Sequence, residues 1–286
     1  MNKETVLSTQ TMGNDLWNQA HSPAADSRWQ WTQYRLKAVA AGFPLISLRD
    51  MDAAALLDRV DTKFVLPVDK MLWVVAGLQA HYRILSVQGN RLSRYRTLYF
   101  DTPNFELFTL HVNGRAERYK VRSREYLETR DVFLEVKHRT VKDRTVKSRI
   151  PTAGTAVWMS GDVRRWLRAV YPFEVGTLEP KMWNTFTRIT LVNREFTERV
   201  TVDTNLTFAK ADAQIRLDGI AVVEMKADGR NTASPFMSAM RAERMQPQSF
   251  SKYCIGVSLL YHNVKKNRLK AEIMKLEKMG NEVNRG

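Results

Sequence analysis

The stretch ERYKVRSREYLETRDVFLEVKHR, from Glu117 to Arg139, places three cations at every second position of a predicted strand. Successive strand residues point to opposite faces, so Lys120, Arg122 and Arg124 share one face. The residues between them are apolar or small, which indicates a second face of different character. The next segment, DVFLEVKHR, mixes charged and apolar residues on both of its faces. Neither strand has a plainly solvated side, and this pattern predicts an anionic ligand lying against them.

Charged side chains recur at the same period in three further predicted strands. They are Arg59, Asp61 and Lys63 in RVDTKF, Arg188 in TFTRIT, and Glu224 and Lys226 in VVEMK. For any one of them a solvated face is the simpler interpretation, and one flat sheet with a wet face would explain the set. A closed barrel with helices outside and a polar interior explains it too. Because several predicted helices need an apolar sheet surface to cover, we favour the barrel.

A polar interior of this kind has a physical requirement. Buried like charges repel and are costly to desolvate, so the interior needs a bound polyanion and some carboxylates. Glu135 and Glu224 are the carboxylates on the charged faces.

The composition points to an anionic partner and a reducing compartment. The chain has 286 residues, with 45 Lys and Arg against 30 Asp and Glu, a net charge of +15. Such an excess favours polyphosphate, nucleic acid or anionic lipid. The single cysteine, Cys254, excludes an internal disulfide, and its apolar surroundings predict burial. We expect no signal peptide, no membrane span and a cytoplasmic location, because the first residues lack a leader pattern and the apolar runs are short.

The predicted elements form an α+β fold. Seven or eight strands joined mostly by short turns predict a largely antiparallel sheet, with helices between and after them. We divide the chain into an N-terminal extension, 1–44, partly disordered or helical; a main domain, 45–265; and a basic helical tail, 266–286. The last helical pattern runs through SKYCIGVSLLYHNVKKNRLKAEIMKLEKM. For the tail we expect a solvated helix, with docking on an acidic partner or membrane surface as the alternative.

The ordered motifs carry a resemblance to a known family. RVDTKF, YFDT, YKVRSREY, FLEVKHR, VTVDTNL, VVEMK and SFSKY occur in the order seen in the vacuolar transporter chaperone domain. That family belongs to the triphosphate tunnel metalloenzymes, and the resemblance covers roughly residues 45–265. It implies an antiparallel, eight-stranded closed β-barrel, or tunnel, lined with Arg and Lys. It also implies a polyphosphate polymerase that uses ATP and inorganic polyphosphate, with Mn²⁺ or Mg²⁺ as cofactor.

The resemblance assigns roles to individual residues. It implies that the catalytic residues are Arg122, Arg124, Arg188 and Lys252, and that the metal ligand is Glu224. The phosphate-binding residues that it implies are Lys63, Arg122, Arg124, Lys137, Arg188 and Lys252. Arg59, Lys120 and Lys226, which lie on the same charged strand faces, are further phosphate-binding candidates. Lys120 and Lys226 also fit a solvated face, and Glu135 is a second candidate metal ligand that also fits an ion pair with Lys137 or a neighbouring arginine.

Two positions depart from the family pattern. Phe186 lies where the family often has a tyrosine, and Ser249 lies where it can have a basic residue. At Phe186 the hydroxyl contact to phosphate is lost. Both departures put the turnover and the preferred length of the polyphosphate product in question.

The residue types fit phosphoryl transfer, which needs positioning and charge neutralisation more than covalent chemistry. Arginine forks match phosphate oxygens, so we assign Arg122, Arg124 and Arg188 to the β- and γ-phosphates. The predicted lysines would neutralise the incoming chain end or the leaving diphosphate, and Glu224 would hold the divalent ion.

Three other functions fit parts of the pattern. A hydrolase of tripolyphosphate or nucleoside triphosphate would use the same tunnel, and a non-catalytic binder of polyphosphate or inositol phosphates would need no metal. Nucleic acid is suggested only by the charge, and the strand parity without an RNA- or DNA-binding signature argues against it. The sequence gives no indication of the oligomeric state.

Overall fold

The computed structural model describes residues 23–53, 59–142, 144–155, 161–228 and 234–283, which contain eleven strands and eight α-helices. The strands β1 to β11 are Leu45–Ser47, Arg59–Pro67, Tyr82–Ser86, Ser93–Asp101, Arg118–Tyr126, Val132–Arg139, Thr145–Pro151, Glu179–Asn193, Glu198–Lys210, Ala213–Leu217 and Ile220–Asp228. The helices α1 to α8 are Pro23–Ala41, Leu48–Ala53, Val68–Ala76, Glu106–Val112, Gly161–Val170, Pro235–Ala242, Lys252–Leu260 and Lys270–Val283. Short 3₁₀ turns lie at Val175–Thr177 and Asn267–Leu269.

All strands belong to one sheet. Its main path has the order β2-β11-β9-β8-β4-β5-β6-β7, and every neighbouring pair on it is antiparallel. The remaining strands lie at its margins: β10 pairs with β9, β3 pairs with β8, and β1 runs parallel to β3. The prediction of a largely antiparallel sheet with flanking helices is therefore confirmed. The expected seven or eight strands match the main path, and the three short marginal strands were not predicted.

The sheet is strongly curved. One short segment contacts strands on both sides of it. The backbone N–H of Gln248 donates to the carbonyl of Lys63 on β2 at 2.9 Å, the hydroxyl of Ser251 accepts from Lys120 on β5 at 3.0 Å, and Lys252 pairs with Asp203 on β9. In a flat sheet β2 and β5, five steps apart on the main path, would be separated by about 24 Å. The sheet therefore curls around this segment and encloses a concave interior.

Closure of the sheet into a barrel is not observed. The two ends of the main path, β2 and β7, do not pair with each other within the described residues. The closed eight-stranded barrel expected from the resemblance thus stays a prediction, while the curved antiparallel sheet is established.

Helices cover the convex face, as the alternating pattern predicted. Alternate residues of β2, β8, β9 and β11, such as Phe64 and Val202, form one core with α1, α3 and α6. Val121 and Leu134, which alternate with the charged residues of β5 and β6, form a second core with α5. Since these alternate apolar residues pack on the convex side, the charged residues between them face the concave side, where α7 packs against Val65, Val222 and Phe186.

Local sequence signals explain where the helices begin. Pro67 ends β2 and precedes α3, since proline lacks the N–H that a strand would use but fits a helix start. Ser234 and Ser251 precede α6 and α7, and each hydroxyl accepts a hydrogen bond from a backbone N–H of the first turn. Pro235 follows at the first position of α6.

The C-terminal helical pattern forms two helices rather than one. Helix α7 ends at Leu260 because Tyr261 is extended and its hydroxyl donates to the carbonyl of Lys181. Helix α8 follows and contacts β2 and β11, with Leu276 and Met279 buried in the core around α7. The expectation of a solvated helix for the basic tail is therefore wrong, because one side of α8 supplies apolar residues to the core.

Two further sequence expectations concern the chain ends and the cysteine. Cys254 is buried and unpaired, as predicted. The expected helical part of the N-terminal extension is α1, which packs on α3, whereas residues 1–22 lie outside the described part. The domain boundaries at 44 and 265 stay predictions.

Helix α7 lies so close to the sheet that Gly256 is a packing requirement. A Cβ at this position would lie 2.3 Å from the sulfur of Met182 and 2.6 Å from the ring of Phe208. We expect Gly256→Ala to lower the free energy of unfolding by about 1–3 kcal/mol, because overpacking outweighs the helix propensity of alanine. Gly280→Ala in α8 is the matched control, since nothing lies within 4 Å of its added Cβ. Urea unfolding measures both, and equal stability of the two variants would show that α7 can shift without cost.

Candidate active site

The concave face carries the predicted cations together. The structure brings Lys63, Lys120, Arg122, Arg124, Lys137, Arg188, Lys226, Lys252 and Glu224 onto or against this face. The side chain of Arg59 lies outside what the structure describes, although its backbone belongs to β2. The strand-parity prediction is thus met for the residues whose side chains are described, and their roles toward phosphate stay predictions.

On β2 and β11, cations and carboxylates alternate. Glu224 accepts from Lys63 at 3.1 Å and from Lys226 at 2.8 Å. Lys226 also reaches Asp61 at 3.0 Å. Although burial acts to raise it, the two lysines hold the pKa of the Glu224 carboxyl well below its usual range. The carboxylates of Glu224 and Asp61 therefore neutralise most of the positive charge of Lys63 and Lys226 in this part of the interior.

Asp203 on β9 joins two predicted catalytic cations. Its carboxylate accepts from Arg188 through both oxygens, at 2.5 and 2.7 Å, and also pairs with Lys252 at the start of α7. Asp203 is 2% exposed. Although burial acts to raise it, the charges of Arg188 and Lys252 lower the pKa of Asp203. Asp203 was not predicted as a site residue, and its inward position in the VTVDTNL motif was the available signal.

On β5, β6 and β7 the cations outnumber the carboxylates. Lys120, Lys137 and Lys147 occupy directly opposing positions on the three strands. Like charges directly opposite one another on a sheet are destabilising. No carboxylate lies within ion-pairing distance of Lys137 in the described part of the chain. We call these three residues the lysine row.

The two arginines of the opening stretch differ in their partners. Arg122 pairs with Glu135 at 2.6 Å, so the ion-pair alternative for Glu135 holds. Arg124 contacts only the hydroxyl of Thr97, at 3.3 Å, among hydrogen-bond partners in the described ranges. It is 8% exposed, and burial together with the charge of Arg122 lowers its pKa. Arg124 is therefore a buried cation that lacks an anion.

Two motif residues position the N-terminus of α7. Asp101 of the YFDT motif accepts from the hydroxyl of Tyr253 in the SKY motif, and from the backbone N–H groups of Leu107 and Phe108. Ser251, the N-cap of α7, lies 3.0 Å from the amine of Lys120. These contacts fix α7 against β4 and β5, so that Lys252 reaches the interior.

The departures from the family pattern have structural consequences. Phe186 lacks a hydroxyl, but it stacks on Tyr95 of β4 with ring centroids 4.9 Å apart and planes 2° apart. The amine of Lys252 lies 4.5 Å from the Phe186 ring centre. The second departure, Ser249, forms a hydrogen bond with Glu272 of α8. It therefore supplies no positive charge to the interior. Tyr95 was missed because nothing in the sequence pairs β4 with β8.

Tyr99 is a second tyrosine that sequence reasoning missed. It lies on β4, directly opposite Arg122 of β5, and its ring stacks on that of Tyr253, with ring centroids 5.1 Å apart. Although burial acts in the opposite direction, the charges of Arg122 and Arg124 bring its pKa below the ordinary value. A polarised hydroxyl among the cations is suited to donating to a phosphate oxygen.

A divalent ion fits this interior only in a limited way. The described residues contain no group of three or more metal-ligating side chains. Glu224 is one carboxylate held between two lysines. Magnesium often binds through one or two carboxylates and completes its shell with substrate phosphates and water. The residues therefore fit an ion that arrives with phosphate, and they do not form an all-protein metal site.

The comparisons with known proteins agree with the ordered motifs. The family model of the VTC domain matches residues 58–261, well over half of the chain. The chain belongs to the VTC domain family. The match spans from the residue before β2 to the end of α7, so it includes every described side chain of the concave face named above.

Solved structures similar to this VTC domain are distant. One is a "putative adenylate cyclase" from Bacillus halodurans, with 12% identity and a TM-score of 0.49, covering 71% of this chain and 97% of that chain. Another is a "putative adenylyl cyclase" from Hippeastrum described as revealing a dominant triphosphatase activity, with 11% identity and a TM-score of 0.49, covering 72% and 98%. The PH1819 protein of Pyrococcus horikoshii has 9% identity and a TM-score of 0.38, covering 70% and 99%. No curated protein matches the chain.

Within the described ranges, no helix has both the length and the apolar character that crossing a bilayer requires.

The lysine row predicts a pH-dependent affinity for anions. Lys137 keeps contact with solvent, yet burial and the charges of Lys120 and Lys147 lower its pKa to about 7. Above that pH it is increasingly neutral, and a bound anion must drive proton uptake. We expect tripolyphosphate affinity to fall as the pH rises from about 6 to about 9 in the wild type, and to fall less in Lys137→Arg, which stays charged.

Isothermal titration calorimetry in two buffers of different ionisation enthalpy measures both the affinity and the proton uptake. The ionisation of tripolyphosphate itself is common to both proteins, so the difference between their pH profiles isolates Lys137. Parallel profiles would contradict the lowered pKa.

Proposed function

We propose that this VTC domain is a polyphosphate polymerase that transfers the γ-phosphoryl group of ATP to a growing inorganic polyphosphate chain. The observation that carries the proposal is the surplus of cations on β5, β6 and β7, including the lysine row and the unpaired Arg124, inside a curved sheet. Such an arrangement is costly without a ligand, because the lysines in register repel one another and the desolvation of the buried Arg124 is not repaid. A polyanion bound along the concave face removes that cost.

The proposed closed tunnel follows from the same geometry. The segment before α7 contacts β2 at Lys63 and β5 at Lys120, so the two sides of the sheet lie near each other. A phosphate chain bridging these two sides would complete the enclosure. We also propose a cytoplasmic location, where ATP is supplied and the free Cys254 stays reduced.

The side chains divide the work of phosphoryl transfer. The guanidinium groups of Arg122, Arg124 and Arg188 would bind the β- and γ-phosphates through paired N–H donors. The lysine row would hold the acceptor chain end and neutralise it, so that its terminal oxygen can approach the γ-phosphorus in line with the leaving diphosphate. The amine of Lys252 would stabilise negative charge that builds on the leaving group.

Glu224 is the proposed metal ligand. It would hold a Mn²⁺ or Mg²⁺ ion, which would supply positive charge that offsets the negative charge of the phosphates in the transition state. For Glu224 to serve, phosphate must compete with it for Lys63 and Lys226, which exchange one anionic partner for another. The carboxylate is thereby available when phosphate enters the site.

The direct test is product analysis with an inactive control. Purified protein is incubated with ATP and Mn²⁺, and the products are separated by chain length. We expect a phosphate polymer that lengthens with time in the wild type. In Arg124→Met we expect activity to fall at least about tenfold, and phosphate affinity to weaken by about 1.5–3 kcal/mol, through loss of a charge-assisted contact.

The stability of the same variants gives a second readout. Arg124→Met should leave the melting temperature unchanged or raised, because an unpaired buried cation is removed. Arg122→Met is the matched comparison and should lower the melting temperature, because it leaves Glu135 without its partner. Orthophosphate as the sole product would support a hydrolase instead, and tight polyphosphate binding without any turnover would support a binding protein.

Glu224→Gln tests the proposed metal role. The change keeps size and removes the negative charge that a hard divalent ion requires. It also makes the interior more positive, so we expect metal-free tripolyphosphate binding to be kept or tightened while Mn²⁺-dependent turnover falls sharply.

An ion-pairing role alone predicts a different result. Loss of the partner of Lys63 and Lys226 would lower stability, yet metal-dependent turnover would stay near that of the wild type. Measuring ligand affinity and the Mn²⁺-dependent rate on one preparation separates the two roles.

A further inference from the structure

Four aromatic side chains form a continuous wall on the concave face. They are Phe186 on β8, Tyr95 on β4, Tyr126 on β5 and Phe133 on β6, which we call the aromatic wall. Their successive ring centroids are 4.9, 5.1 and 6.0 Å apart. The four strands are consecutive on the main path of the sheet. The wall thus crosses half of that path beside the predicted phosphate-binding cations.

The two halves of the aromatic wall differ in accessibility. Phe186 and Tyr95 are 3% and 9% exposed, and Arg124 and Arg188 lie over their rings at 5.3–5.9 Å. Tyr126 and Phe133 are only half-buried, and they lie at the hairpin end of β5 and β6. The inner half is therefore covered by cations, whereas the outer half is open to a ligand.

A planar group already occupies the open ring face. The guanidinium carbon of Arg149, an exposed residue on β7, lies 4.7 Å from the ring centre of Phe133. Arginine side chains stack on aromatic faces, and a nucleobase can take the same position or stack on the outer side of the guanidinium. This face of Phe133 thus accommodates a planar group, and Arg149, which is exposed, can move aside or stack on a bound ring.

The open ring face of Phe133 lies a short distance along the strands from the arginines of the concave face. Arg124 lies two residues from Tyr126 on the same strand and the same face, a step of about 7 Å. Glu135, which pairs with Arg122, lies one such step from Phe133 on β6. A ligand that places a flat ring on Phe133 and its phosphates on the arginines needs a linker of about the size of a ribose. In the proposed reaction that ligand is the nucleotide.

We propose that Phe133 and Tyr126, with Arg149, form the binding site for the nucleobase of ATP. The inference rests on the proposed function and assigns the orientation of the nucleotide. The base lies at the hairpin end of β5 and β6, the triphosphate points toward Arg124 and Arg122, and the acceptor chain lies on the lysine row. Since stacking recognises a flat ring more than its hydrogen-bonding groups, this site accepts different bases and favours the larger purine rings.

The test compares ATP with tripolyphosphate, which has the phosphates but no base. Dissociation constants are measured by calorimetry on the full chain without divalent metal, so that no turnover occurs. We expect Phe133→Leu to weaken ATP binding roughly 5- to 100-fold, the range for loss of one base–aromatic stack, and tripolyphosphate binding less than about twofold. Phe133→Trp, which keeps a stacking surface, should retain ATP affinity.

A matched control is available outside the aromatic wall. Phe173 is 50% exposed and packs on Tyr119 and Tyr171, beside the convex core around α5. Phe173→Leu makes the same chemical change and should leave both affinities unchanged. Equal weakening of ATP and tripolyphosphate in Phe133→Leu, or no weakening of either, would overturn the base site. Failure of the wild type to bind tripolyphosphate would instead overturn the proposed function itself.

Discussion

Cations share the concave face of the sheet, and their mutual repulsion must be offset by the packing and the ion pairs around them. Alternating residues of β5 and β6 divide into a mostly apolar set and a mostly charged set, and only one of the two can pack against α5. Packing α5 on Val121 and Leu134 directs Lys120 and Lys137 to the inside. The hydrophobic gain on the convex face thus stabilises an interior that electrostatics alone would oppose.

Carboxylates limit this repulsion unevenly. Asp203 and Glu224 each hold two cations, which leaves the β2, β11, β9 and β8 side nearly balanced. On the opposite side Glu135 pairs with Arg122, and the lysine row has like charges in register. The binding free energy of an anionic ligand is most favourable on the unbalanced side, because its negative charge attracts lysines that otherwise repel one another. The balanced side can exchange one anionic partner for another at a smaller change in energy.

The segments that supply these side chains are far apart in the sequence, and a few buried polar contacts bring them together. Asp101 connects β4 to α4 and α7, and Asp203 connects β8 and β9 to Lys252. Gly256 allows α7 to approach the sheet closely enough for these contacts to form. The motifs that carry the family resemblance thus include residues that hold the scaffold as well as residues that face the interior.

Which residues share a face could be predicted from the sequence, since a strand has a fixed period of two and the charged residues of β2, β5, β6, β8 and β11 follow it. Ordered motifs such as YKVRSREY and VVEMK were sufficient to indicate the family. Which side chains meet depends on how the strands and helices pack in the folded chain. Tyr95 meets Phe186 through the pairing of β4 with β8, and Asp203 meets Lys252 across 49 positions of the chain.

Local patterns contain no information about such pairings, because register and curvature arise from the whole sheet. For the same reason the short strands β1, β3 and β10 and the packing of α8 were not predicted. Each is stabilised by neighbours distant in sequence rather than by a strong local signal.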